Sequence, residues 1–275
     1  MCNGAWSTCS TGHSQSPISI PTSTAIQDHN IAVTSLRFKS VFATAFNRTG
    51  LPSHVEVSVP SNDACMFGGP KGGYHYLWKL SFHSPSEHAF DDFRASASAQ
   101  FWFRDAKGNP TYTLGMMFTD NTNVPNPWID SVLAAMRTNS SKIDLNPTSV
   151  LPTDLSYYFY SGSDTVPPCQ EVWTWMILRA PAQLTLDQVA AIRSWQGGAD
   201  HIRPIQPLNG RNVTLEYSHI VVEEDPNTFV AIVTVLALIS LVGGVIAIIV
   251  NRQATEILNQ REEERRAYLA TQRQH

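Results

Sequence analysis

Ser81-Phe82-His83-Ser84-Pro85-Ser86-Glu87-His88 is the stretch on which the reading of this chain turns. It closes the run Tyr74–His83, which has the apolar and alternating pattern of a strand. On such a strand Ser81 and His83 project from one face, with His75 on the same parity. His75 lies eight residues from His83, roughly 26 Å along an extended strand, so the two imidazoles cannot serve one centre. Glu87 and His88 belong to the turn that follows.

Comparable runs lie on both sides: Ala32–Phe38, His54–Val59, Ala97–Arg104, Tyr112–Thr119, Val172–Ala180 and Val213–Val222. Gly, Pro, Asn and Asp separate them. Two stretches have helical spacing instead. Asn126 is the expected N-cap with Pro127 at the first helical position, and the run to Arg137 places Ile129, Val132, Leu133 and Met136 at helical intervals. Thr185–Trp195 opens on Thr-Leu-Asp-Gln, a capping box, and sets Val189, Ile192 and Trp195 on one face. A mainly β domain with few short helices and no internal repeat is expected.

The 275 residues, 43% hydrophobic and 10% aromatic, suffice for one large domain with a real core. Residues 1–227 carry 14 Lys and Arg against 19 Asp and Glu, which gives no reason to expect a nucleic-acid partner. Thr228 to Val250 contains no charged residue, and its 23 residues span about 35 Å as a helix, enough to cross a membrane. Gly243 and Gly244 within it would permit close helix contact. Glu223, Glu224 and Asp225 precede the span, whereas Arg252, Arg261, Arg265 and Arg266 follow it. This orients the N-terminal domain to the extracytoplasmic or lumenal side. Residues 1–20 lack an apolar h-region, so insertion is expected to follow removal of a leader or to rely on the C-terminal span. The expected organisation is an ectodomain over 1–222, a linker over 223–227, a transmembrane helix over 228–250 and a polar cytoplasmic-side tail over 251–275. That tail reads as a solvated helix or as one that docks on a partner or the membrane surface. Four cysteines (Cys2, Cys9, Cys65 and Cys169) suggest disulfides in such an ectodomain, and Asn47, Asn139 and Asn212 open glycosylation tripeptides.

Four motifs together carry a family resemblance. Gln15-Ser16-Pro17-Ile18, the opening stretch through Glu87-His88, Tyr160 to Glu171 (YSGSDTVPPCQE) and Arg203 to Arg211 (RPIQPLNGR) occur in order over about residues 9–213. They resemble the α-carbonic anhydrase family. The resemblance implies a large twisted central sheet with the active site at the base of a cone. It also implies a Cys9–Cys169 disulfide, leaving Cys2 and Cys65 to pair with each other or to leave Cys2 free.

In that family three histidines hold zinc, whose open fourth position makes hydroxide available to attack CO2. Carried over by motif, the ligand positions are Ser81, His83 and Gln100, so one imidazole of three is present. Ser98 stands where the family has the Glu that orients the third histidine. Glu87 and Thr165 match the buried pair that orients the zinc-bound hydroxide, and a carboxylate and a hydroxyl can satisfy one another without metal. The pocket positions are Trp102, in place of a small Val, with Asp164, Val166 and Trp175; His54 matches either the proton shuttle or, more simply, an ordinary surface histidine. Neither His75 nor His88 is placed to replace a missing ligand. No resident zinc and no other cofactor are therefore expected. The leading expectation is a catalytically inactive carbonic-anhydrase-like membrane protein that binds, attaches or assembles, with an unknown protein or glycan ligand. Its arrangement is similar to that of poxvirus carbonic-anhydrase-like envelope proteins, although the acidic ectodomain argues against simple charge-driven attachment to glycosaminoglycan. The alternatives are an active zinc hydratase with a rearranged site and a structural subunit of an organellar membrane complex.

Overall fold

A computed structural model describes residues 7–27, 34–38, 42–43, 45–47, 55–58, 64–68, 72–138, 143–144, 149–196, 202–217, 220–223 and 226–272. The chain divides into two compact units, Met1–Glu223 and Glu224–His275.

The first unit is built on a mixed sheet of thirteen described strands. Its path runs Ile220–Glu223, Thr34–Phe38, Ala64–Phe67, Tyr74–His83, Ala97–Arg104, Pro110–Thr119, Trp173–Leu178, Tyr157–Gly162, Thr214–Glu216 and Ile26–Gln27. Val55–Ser58 joins the C-terminal half of Tyr74–His83 and carries Ala45–Asn47 at its side, and Ala182–Gln183 continues beside Pro110–Thr119. Pairing is antiparallel through the central ladder as far as Pro110–Thr119, which then meets Trp173–Leu178 in parallel.

Both faces of the central strands are covered, so Ala97–Phe103 is buried at every position rather than at alternate ones. Leu80, Phe82, Phe101, Phe103 and Leu114 face one core, closed by Trp128, Ile129, Val132 and Leu133 of the Pro127–Thr138 helix and Ile192 of the Leu186–Trp195 helix. Trp102, Trp173, Trp175, Ile177 and Met117 face the other. The site lies on this second, aromatic face.

The helix signals act as their sequences dictate. Asn126 Oδ1 accepts from the amides of Trp128 and Ile129 at 3.1 and 3.3 Å. Thr185 and Gln188 form the reciprocal capping box. Val213–Val222, read as one run, is two strands: Thr214–Glu216 pairs with Tyr157–Gly162, whereas Ile220–Glu223 pairs with Thr34–Phe38 at the far end of the sheet. No Gly or Pro marks the break, so local pattern could not reveal it. Ala64–Phe67 and Tyr157–Gly162 are strands absent from the sequence reading.

The second unit contains one continuous helix, Pro226–Gln272, so helix replaces the expected linker from Pro226 and extends through most of the expected tail. Val233–Leu258 is long and apolar enough to cross a membrane.

Candidate functional site

Register places the three carried-over ligand positions together. Across Tyr74–His83 and Ala97–Arg104, Ser98 faces His83, Gln100 faces Ser81 and Trp102 faces Lys79. All six side chains are buried. A directed hydrogen-bond chain runs through them. Trp102 Nε1–H donates to Ser81 Oγ at 2.9 Å, and Ser81 Oγ–H donates to Gln100 Oε1 at 3.2 Å. Gln100 Nε2 then donates to Glu87 Oε2 at 2.9 Å. Thr165 also hydrogen-bonds Glu87, and His83 Nε2 lies 3.4 Å from the same carboxylate oxygen. Glu87 is thus the terminal acceptor for the whole constellation. Burial pushes its carboxyl up, but His83 and the bonds from Gln100 and Thr165 outweigh burial and hold it below the ordinary carboxylate range.

These residues do not fit a tetrahedral zinc ion. Zinc is held by imidazole, thiolate or carboxylate, whereas two of the three positions offer a neutral hydroxyl and a neutral amide. Those oxygens are also engaged: Ser81 Oγ lies between Trp102 and Gln100, and Gln100 Oε1 accepts from Ser81. Among the described residues, no group of three or more His, Cys, Asp or Glu side chains is arranged to hold a metal ion. His75, as its spacing required, is directed elsewhere, with Nε2 2.7 Å from the Gly72 carbonyl.

The pocket positions carried over from the family are packed with aromatic rings. The Trp102 ring meets Trp173 and Trp175 edge-on at centroid distances of 4.8 and 5.3 Å. Lys79 Nζ lies over the Trp102 ring at 4.4 Å, and Arg104 lies over Trp78 at 3.5 Å. Asp164 Oδ1 accepts from Trp173 Nε1 at 2.7 Å, yet burial outweighs that bond and raises the carboxyl above its usual range. Val166 is half-buried in the adjoining turn, where its carbonyl accepts from the Cys169 amide. Lys79 and Trp173 were missed as site residues. Parity was the available signal: Lys79 stands two residues before Ser81, and Trp173 two before Trp175.

His88 joins a second chain behind the first. Its Nε2 is 2.6 Å from Tyr160 Oη, which is 2.8 Å from Ser16 Oγ, and Ser16 Oγ accepts from the Ser163 amide at 3.1 Å. Ser16 reaches Tyr160 because residue 162 is glycine, where a Cβ would collide with the Ser16 hydroxyl and the Trp175 ring. Burial, with the cations Arg94 and Arg211, drives the His88 pKa down to about 3, despite the opposing Glu87. His88 is therefore neutral and can accept from Tyr160.

This neutrality has a pH signature. An unfolded histidine takes up a proton near pH 6.5, whereas folded His88 does so only near 3, so the folded state loses stability as pH falls between those values. From pH 7 to pH 5 the loss should be about 2 kcal/mol. Relative to His88→Asn, the wild-type protein should show that extra loss in denaturant unfolding at the two pH values. Parallel pH dependence of the two proteins would refute it.

The Cys9–Cys169 disulfide implied by the resemblance is formed. Cys65 lies in the Ala64–Phe67 strand, while Cys2 and His54 lie outside the described residues. Asn212 is exposed and Asn47 ends the Ala45–Asn47 strand; Asn139 lies outside the described residues.

The family model for eukaryotic-type carbonic anhydrase matches residues 2–217. Carbonic anhydrase 1 of Mus musculus is 29% identical over 238 residues, covering 75% of this chain and 90% of that protein. A carbonic anhydrase of Pectobacterium carotovorum is 31% identical over 209 residues, covering 75% and 81%. Among solved structures, the α-carbonic anhydrase of Thermovibrio ammonificans with the inhibitor sulfanilamide has a TM-score of 0.66 at 28% identity, covering 76% of this chain and 90% of that one. Dioscorin complexed with ascorbate has a TM-score of 0.69 at 24% identity, covering 78% and 91%, a likeness of fold alone. With the motifs, the sheet and the matched family model in agreement, this chain belongs to the eukaryotic-type carbonic anhydrase family.

Proposed function

We propose that this protein is a catalytically inactive member of its family, a membrane-anchored domain that binds a protein or glycan ligand or assembles with a partner. One observation carries the reading: the Trp102–Ser81–Gln100–Glu87 chain holds a neutral hydroxyl and a neutral amide at two of the three positions where hydratase chemistry needs imidazoles around an ion, leaving His83 alone at the third. The residues that remain, Glu87 and Thr165, have a structural use as acceptor and donor in that chain. The C-terminal helix supports anchorage in a membrane. The arginines after it favour an extracytoplasmic or lumenal domain.

Purified full-length protein in detergent should contain far less than one zinc per chain by elemental analysis. It should also leave CO2 hydration at the buffer rate. Stoichiometric zinc with sulfanilamide-sensitive turnover would instead establish a working hydratase with a rearranged site. For the ligand, proximity labelling at the membrane should recover a defined set of partners that is lost when residues 7–223 are deleted; the same set from the deleted protein would place binding outside this domain.

A further inference from the structure

The loss of two ligand histidines is the visible change in this site, but Trp102 makes it hard to reverse. We infer that Trp102 closes the old metal position, acting as a positioning residue that fixes Ser81 and Gln100 in their hydrogen-bonded arrangement; this rests on the metal-free reading above.

Three observations support it. First, the Trp102 indole reaches the ligand position itself, donating to Ser81 Oγ at 2.9 Å. That bond leaves the Ser81 hydroxyl hydrogen to donate to Gln100, so the indole sets the polarity of the whole chain. Second, Trp102 packs edge-on against both Trp173 and Trp175, with Lys79, its direct cross-strand partner, over its ring at 4.4 Å. A ring held on these sides cannot rotate away without disturbing all of them. Third, a histidine at position 81 would place an imidazole where the hydroxyl now meets the indole N–H. The larger side chain would overpack the contact, and an imidazole bound to a metal, with its other nitrogen protonated, would leave the Trp102 N–H without an acceptor inside a buried site.

The inference predicts that ligand restoration alone fails. Zn2+ and Co2+ titrations would compare the full-length wild-type protein, S81H/Q100H, S81H/Q100H/W102V and S81H/Q100H/W102F. The W102F version keeps an aromatic ring against Trp173 and Trp175, so it guards against simple loss of fold. Readouts are metal retained after gel filtration and the visible absorption of tetrahedral Co2+. Each folded triple variant should bind at least tenfold more tightly than S81H/Q100H and show the tetrahedral Co2+ spectrum. A gain below tenfold in both, or equally tight binding by the double variant, overturns the role of Trp102. Stoichiometric zinc in the wild-type protein is a separate outcome, which removes the metal-free reading itself.

Discussion

Glu87→Ala should lower folding stability by about 3–5 kcal/mol, the cost of deleting one partner from a buried charged network. The carboxylate is 2% exposed and is the common acceptor for Gln100 and Thr165, with His83 Nε2 at 3.4 Å. Removing it leaves the Gln100 amide and the Thr165 hydroxyl without an acceptor in a site where water has little access. Each orphaned donor costs about 1–3 kcal/mol. Glu87→Gln is the informative companion. It keeps the shape and one oxygen to accept from Gln100, but its NH2 group can be met only if the Thr165 hydroxyl turns from donor to acceptor, so about half of the loss or less should persist. Denaturant unfolding of the three proteins at pH 7 measures this order. An alanine variant within 1 kcal/mol of wild type would mean that Glu87 is not the end point of the chain.

The same network shows what sequence can and cannot reveal. Strand parity put Ser81 and His83 on one face, whereas Gln100 and Trp102 were legible only through carry-over from the family motif; the antiparallel register then sets them opposite Ser81 and Lys79. The disulfide and the family fold were legible through motifs rather than through periodicity. Hydrogen-bond direction was not legible. Whether Gln100 turns its oxygen or its nitrogen to Glu87 depends on the donor at Ser81, which depends in turn on an indole two residues further along the partner strand. Nor could local pattern separate Thr214–Glu216 from Ile220–Glu223, because a change of neighbour in a sheet is a tertiary event. Burial at every position of Ala97–Phe103 has a related reason. Helices cover one face and the Trp-rich core covers the other, so both parities are buried.

Loss of the Cys9–Cys169 bridge should destabilise the domain by about 5 kcal/mol, since the chain-entropy model assigns that much at 25 °C to a closure of this length. The linked residues are 160 apart, so the bridge removes more unfolded-chain freedom than any local turn could. Its native surroundings are already held by other bonds: Arg203 Nη2 donates to the Cys9 carbonyl at 2.7 Å, and Gln15 Nε2 donates to the Cys169 carbonyl at 3.1 Å. The folded state should therefore keep its shape without the bridge, and the effect should be felt mainly in the unfolded ensemble. Cys9→Ser is the cleaner variant, because Cys169 sits at a φ of 56° and substitutions there also alter the cost of a left-handed backbone. For a domain of this size the melting temperature should fall by about 10–20 °C, with the native near-UV spectrum retained at 20 °C. Under reducing conditions the wild-type protein and Cys9→Ser should melt together, because neither then holds the bridge. A fall of less than 3 °C would show that the unfolded chain is already constrained by other means, and that the bridge adds little to the fold it closes.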